Sequence, residues 1–136
     1  MRNSTDPFFW LKRAAQDIRT AKNNLADNPQ ELADAICYAC QQAAEKYLKA
    51  FLLQKKEALI KTHDLVFLGR RARRLEPIFR EIEQELLELN EYSLEARYPG
   101  DFFGEITGED AHSAYGCALR VEELVLSFFK AGKEGL

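Results

Sequence analysis

Valine occurs three times and threonine four times in 136 residues, so the side chains that favour strands are scarce and a β-rich fold is excluded. No uncharged apolar run approaches the ~18 residues of a membrane-spanning helix, and no membrane association is expected. Behind Met1 to Pro7 there is no apolar stretch of signal-peptide length. Cysteine appears three times, an odd number, which does not suit a disulfide framework. A cytoplasmic protein with reduced thiols is the expectation. Nor is there an excess of positive charge: 19 Lys and Arg stand against 22 Asp and Glu, for a net charge of −3. A uniformly basic nucleic-acid coat is thereby excluded, but a local basic patch is not. Histidine is nearly absent. His63 and His112 are the two imidazoles, and general-base chemistry at neutral pH would rest on them.

What is abundant is helix former. Leu, Ala and Glu fill 50 positions, and the chain reads as one all-α domain over residues 1–136, an up-and-down bundle of about five helices. Asp6 or Thr5 caps a first helix, with Pro7 in its first turn and Leu11, Ala14, Ala15, Ile18, Ala21 and Leu25 inward. The spacing predicts a second helix from about Pro29 to Lys56. One of its faces carries Leu32, Ile36, Ala39, Ala43, Tyr47 and Ala50, and another carries Cys37, Cys40, Ala44, Leu48 and Phe51. A helix apolar on most sides is covered on most sides, which makes this one central. After a connector to Thr62 or Asp64, Leu65, Leu68, Ala72 and Leu75 mark a third helix. Pro77 opens a fourth with Ile78, Ile82, Leu86 and Leu89 inward, fading near Arg97 to Gly100. Thr107 and Asp110 form a capping box for the last helix, whose inner face is Ala111, Ala114, Ala118, Val121, Val125 and Phe128, ending at Gly132. Residues 55–74 carry seven basic side chains against two acids, and residues 76–95 carry seven Glu against one Arg. Neighbouring helices therefore have opposite charge.

Candidate chemistry is sparse. Cys37-x-x-Cys40 lies inside a helix rather than at its N-terminus, where a redox thiol would have its pKa lowered. His63, His112 and Cys117 offer no recognisable zinc spacing, so core thiols without a metal are the simpler reading. The run Arg70-Arg71-x-Arg73-Arg74 suits either ion pairing with the glutamate-rich helix or phosphate contact. Gln41, Gln42, Glu45, Lys46 and Lys49 are the polar residues of the central helix, and at that location they need partners. Glu45 and Lys49 alone read as an ordinary i, i+4 surface pair. Phe8, Phe9, Phe102 and Phe103 fall outside the helical stripes, which points to an interface and a homodimer. Lys46, Lys49, His63 and Arg97 are expected to meet in a groove beside the central helix, with Tyr98 adjacent, as a site for a phosphate-bearing ligand.

Four segments, in order and at suitable spacing, resemble the prokaryotic HEPN domain. They are Gln41-Gln42-Ala-Ala-Glu45-Lys46-x-Leu48-Lys49-Ala50, Lys61-Thr62-His63-Asp64-Leu65, Ala96-Arg97-Tyr98-Pro99 and the early Trp10-to-Ile18 helix. The resemblance implies a helical bundle pairing into a homodimer beside a minimal nucleotidyltransferase, often in toxin–antitoxin modules. Some HEPN families are metal-independent RNases using an Arg-x(4–6)-His motif. Here the next histidine after Arg97 is His112, fifteen residues on. A non-catalytic binding module for nucleotide or RNA, with no cofactor, is therefore expected. The alternative is a degenerate RNase in which His63 and Arg97 meet through the fold.

Overall fold

The Asp6 side chain accepts a hydrogen bond from the Phe8 N–H at 3.0 Å, and Pro7 occupies the first helical position. An N–H is not missed there. The computed structural model describes residues 4–93 and 105–134, with side chains through residue 129. Helix α1 spans Pro7–Asp27 and buries Ala14, Ile18 and Ala21. Ala15, placed inward by sequence spacing, is exposed, because the buried arc of this helix is narrower than its run of small residues.

Residues 29–32 form a hydrogen-bonded turn instead of the start of a helix. The Asn28 carbonyl accepts from the Leu32 N–H at 2.9 Å, and the Asn28 side chain accepts from the Glu31 N–H at 3.0 Å. Helix α2 then runs Ala33–Gln54, with 16 of its 22 residues buried. Both predicted apolar faces are used: α1 and the three α-helices that follow all pack on it. It ends where Lys56 takes a left-handed φ of 69° and the Glu57 N–H reaches back to the Leu52 carbonyl at 2.9 Å. Left-handed residues at helix ends are usually glycine, and this lysine turns the chain sharply into the connector that carries His63.

Asp64 caps helix α3, Leu65–Leu75, accepting from the Val66 and Phe67 N–H groups at 3.0 and 3.3 Å. Asn90 clamps the same corner: its side-chain oxygen accepts from the Leu65 N–H at 2.9 Å and its amide donates to Asp64 at 3.2 Å. The fourth predicted helix is two pieces, a 3₁₀ segment Pro77–Ile82 followed by α4, Glu83–Asn90. This changes which side chain faces the core. Sequence periodicity puts Ile78 inward, yet Ile78 is 44% exposed and Phe79 is buried. With three residues per turn, Phe79 and Ile82 share a face, and the α-helical stripe of Leu86 and Leu89 continues from Ile82. Helix α4 ends at Asn90, short of the fade near Arg97, and residues 94–104, including Arg97, Tyr98, Phe102 and Phe103, lie outside the described residues.

Thr107 and Asp110 form the expected box, with the Thr107 N–H to Asp110 at 2.9 Å and the Asp110 N–H to the Thr107 hydroxyl at 3.1 Å. Helix α5 spans Gly108–Glu134, so it runs past Gly132. Ala111, Ala114, Ala118, Val121 and Val125 are buried as predicted, joined by Cys117 and Phe129, while Phe128 is half-buried. Phe51, Phe79 and Phe128 form a ring cluster with centroids 4.5 to 5.7 Å apart. The result is an all-α bundle around α2, with no strand among the described residues.

Candidate functional site

The polar residues of α2 converge on one carboxylate. Glu45 lies on a buried face of the central helix, with its side chain 4% exposed. One of its oxygens, Oε2, accepts from Lys49 Nζ at 2.8 Å. The other, Oε1, is 2.9 Å from His63 Nδ1 and also accepts from the amides of Gln42 at 3.4 Å and Gln41 at 3.5 Å. A carboxylate has no proton to give, so Nδ1 carries the hydrogen and Nε2 of the neutral ring is left as an acceptor. The Gln41 amide also donates to the His63 carbonyl at 3.2 Å, and Gln42 donates to the Gln41 side-chain oxygen at 2.8 Å. Both ring and backbone of His63 are thus tied to α2.

His63 itself is not buried. Its side chain is 53% exposed, whereas Lys49 is 7% exposed. Burying Glu45 and Lys49 together is sustainable because each neutralises the other and the amides satisfy the remaining lone pairs. Lys49 Nζ also lies 5.7 Å from the centroid of the Trp10 ring on α1, a cation–π distance. Lys46, one residue after Glu45, turns to α1 instead and meets Asp17 at 2.7 Å.

The structure therefore brings together two of the sequence-predicted site residues, Lys49 and His63, through Glu45. Lys46 sits at the margin on Asp17, and Arg97 and Tyr98 lie outside the described residues. The i, i+4 pair of Glu45 and Lys49 is interior rather than surface support. Glu45, Asp17 and Trp10 are not among the predicted site residues. A signal for Glu45 exists in the sequence, since a carboxylate on a helix apolar on most sides has to be partnered from within.

The other candidates resolve differently. Arg71 pairs with Glu57 at 2.7 Å and Arg73 with Glu83 at 2.6 Å, while Arg70 and Arg74 are exposed. All three cysteines are buried and free. Burial pushes the Cys37 thiol up to about 12, against a lowering hydrogen bond with Tyr92, and pushes Cys117 up to about 11. Cys40 is raised further still by burial. These are poor nucleophiles and poor metal ligands. No group of three or more metal-ligating side chains occurs among the described residues. His112 is exposed on α5. No described helix is long and apolar enough to cross a membrane.

A HEPN domain sequence profile matches residues 8–128, nearly the whole chain. The chain belongs to the HEPN domain family. This is a family of nucleotide-binding or RNase modules. The HEPN fold is also that of two solved structures. TT1696 from Thermus thermophilus is 22% identical with a TM-score of 0.77, over 89% of this chain and 96% of that one. ST0689, an archaeal HEPN homologue, is 25% identical with a TM-score of 0.71, over 90% of this chain and 96% of that one. No curated protein matches. Within this HEPN domain, the exposed group at the candidate site is His63, and its orientation comes from Glu45.

Proposed function

We propose that this HEPN domain is a non-catalytic binding module, a cytoplasmic homodimer that acts with a minimal nucleotidyltransferase partner in a toxin–antitoxin-like pair and takes a nucleotide or RNA. The ligand's phosphate or base edge meets His63, with Lys46 at the margin, Lys49 behind, and Arg97 and Tyr98 contributing from the following segment. The observation that carries this reading is the half-exposed His63 ring fixed at Nδ1 by a buried, fully partnered carboxylate. Such a ring presents Nε2 in one orientation without an entropic cost at binding. When protonated, it presents a positive donor to phosphate. The missing Arg-x(4–6)-His motif is what separates binding from cleavage.

A second reading has one observation in its favour. A histidine oriented by a carboxylate is also the arrangement of a general base. In that reading His63 removes a proton from a ribose 2′-hydroxyl, and Arg97 stabilises the developing charge on phosphate, with no metal. Incubating end-labelled single-stranded RNA with the protein in excess EDTA separates the two. The proposed function expects binding without cleavage. Cleavage that is lost in His63→Ala establishes the degenerate RNase instead.

A further inference from the structure

Between α3 and α4 lies a recess of about 230 Å³. Its apolar lining is Val66 and Gly69 from α3, Phe79 from the 3₁₀ segment, and Leu86 and Leu87 from α4. Phe79 and Leu86 are 1% and 3% exposed, so the recess reaches down to the packed interior. Gly69 contributes backbone only, and a β-carbon there would lie 2.5 Å from Leu86 Cδ1. A preformed apolar hollow with few polar groups is the usual form of a small-molecule site. This one is below the ~300 Å³ at which pockets for drug-sized ligands begin, so its occupant is smaller than a nucleotide.

The polar side chains of the lining are Arg70, Arg73 and Glu83. Arg73 and Glu83 pair at 2.6 Å and cancel each other's charge. Arg70 is the remainder. Among the described residues it has no ion-pair or hydrogen-bond partner, whereas its neighbour Arg71 is taken by Glu57 at 2.7 Å. Two arginines against one glutamate leave the lining with a single uncompensated positive charge. An apolar hollow with one free guanidinium is complementary to an apolar body that carries one carboxylate, which the planar guanidinium meets with two parallel N–H donors. A polyanion would bring its further charge against Glu83, and a cation would be repelled by Arg70. None of the lining residues belongs to the network around Glu45 and His63, so this is a second site.

We infer that the recess between α3 and α4 binds a small apolar carboxylate, an aryl or short alkyl acid, with its body on Phe79 and Leu86 and its carboxylate on Arg70. Phenylacetate and its neutral isostere phenylacetamide are the probes. Their binding is followed by NMR at millimolar concentration, on the amide resonance of Gly69 and the methyl resonances of Leu86. In the wild type phenylacetate is expected to move both residues' resonances. It should bind about fivefold more tightly than phenylacetamide, the advantage of a charge-assisted bond to an exposed arginine. Arg70→Gln, at an exposed position, should abolish that preference with the melting temperature unchanged. Arg74→Gln, exposed on the same helix but outside the recess, should preserve it. Gly69 and Leu86 resonances that phenylacetate leaves in place overturn the site. Equal affinity for acid and amide in the wild type overturns the ligand class. A preference that survives Arg70→Gln, or that Arg74→Gln removes as well, overturns the contact with Arg70.

Discussion

At the residue scale the decisive group is Glu45, because one carboxylate supports a lysine, a histidine and two amides. Removing it leaves Lys49 charged, 7% exposed and without its counter-ion, a loss of about 3–5 kcal/mol by the usual cost of breaking a buried pair. Glu45→Ala is accordingly expected to show that drop in urea unfolding. Glu45→Ala with Lys49→Met, which removes both charges, should recover part of it. Equal stability of the single and double variants would contradict the pairing. The thiols supply a second check. Burial raises Cys37 to about 12 and Cys117 to about 11 from the ordinary thiol value of 9.0. The folded state thus holds these protons more tightly than the unfolded chain. Their contribution to stability is whole below pH 9.0 and is lost as pH rises from there toward 11 or 12. Native protein at pH 8 should react with a disulfide reagent far more slowly than urea-unfolded protein, and stability should fall as pH rises above 9.0. Fast labelling of three thiols in the native state would contradict their burial.

At the scale of elements, the 3₁₀ segment decides which residue fills the core. Phe79→Ala should cost about 3–5 kcal/mol, as for a buried ring, whereas Ile78→Ala should stay within about 0.5 kcal/mol, as for an exposed position. Reversed magnitudes in thermal unfolding would restore the α-helical register. Asp64 is the cap of α3 and half of the Asn90 clamp, so Asp64→Ala should cost about 1–2 kcal/mol. The helices themselves are legible in the sequence. Asp6, Asp64 and Thr107 announce three starts, and the apolar circumference of α2 announces the central helix, because both signals are local. The register after Pro77 is not legible, since a 3₁₀ turn and an α-turn carry the same apolar residues and differ only in which of them faces inward. The site is half legible. Lys49 and His63 are identifiable as neighbours and Glu45 as a group that needs a partner, but the i, i+4 spacing of Glu45 and Lys49 does not tell a solvated helix face from a buried one. Trp10 and Asp17 belong to the Trp10-to-Ile18 segment that carries the family resemblance, but their reaching the site depends on the packing of α1 on α2, which no spacing in the sequence encodes.

At the scale of the whole molecule, α2 lies under every other helix and carries the polar network, so the part of the fold that stabilises the bundle is also the part that orients His63. The central claim is that His63, held by Glu45, is the contact for a phosphate-bearing ligand. The most direct measurement is an NMR titration of the His63 ring with ATP and with a short 5′-phosphorylated single-stranded RNA, using wild type, His63→Ala and the surface control Lys12→Ala. The account predicts that at least one of the two probes shifts the His63 Cε1–H resonance, that its affinity falls at least tenfold in His63→Ala with the melting temperature nearly unchanged, and that Lys12→Ala leaves it as it was. A ring resonance that neither probe moves, or an affinity that His63→Ala leaves intact, would contradict it.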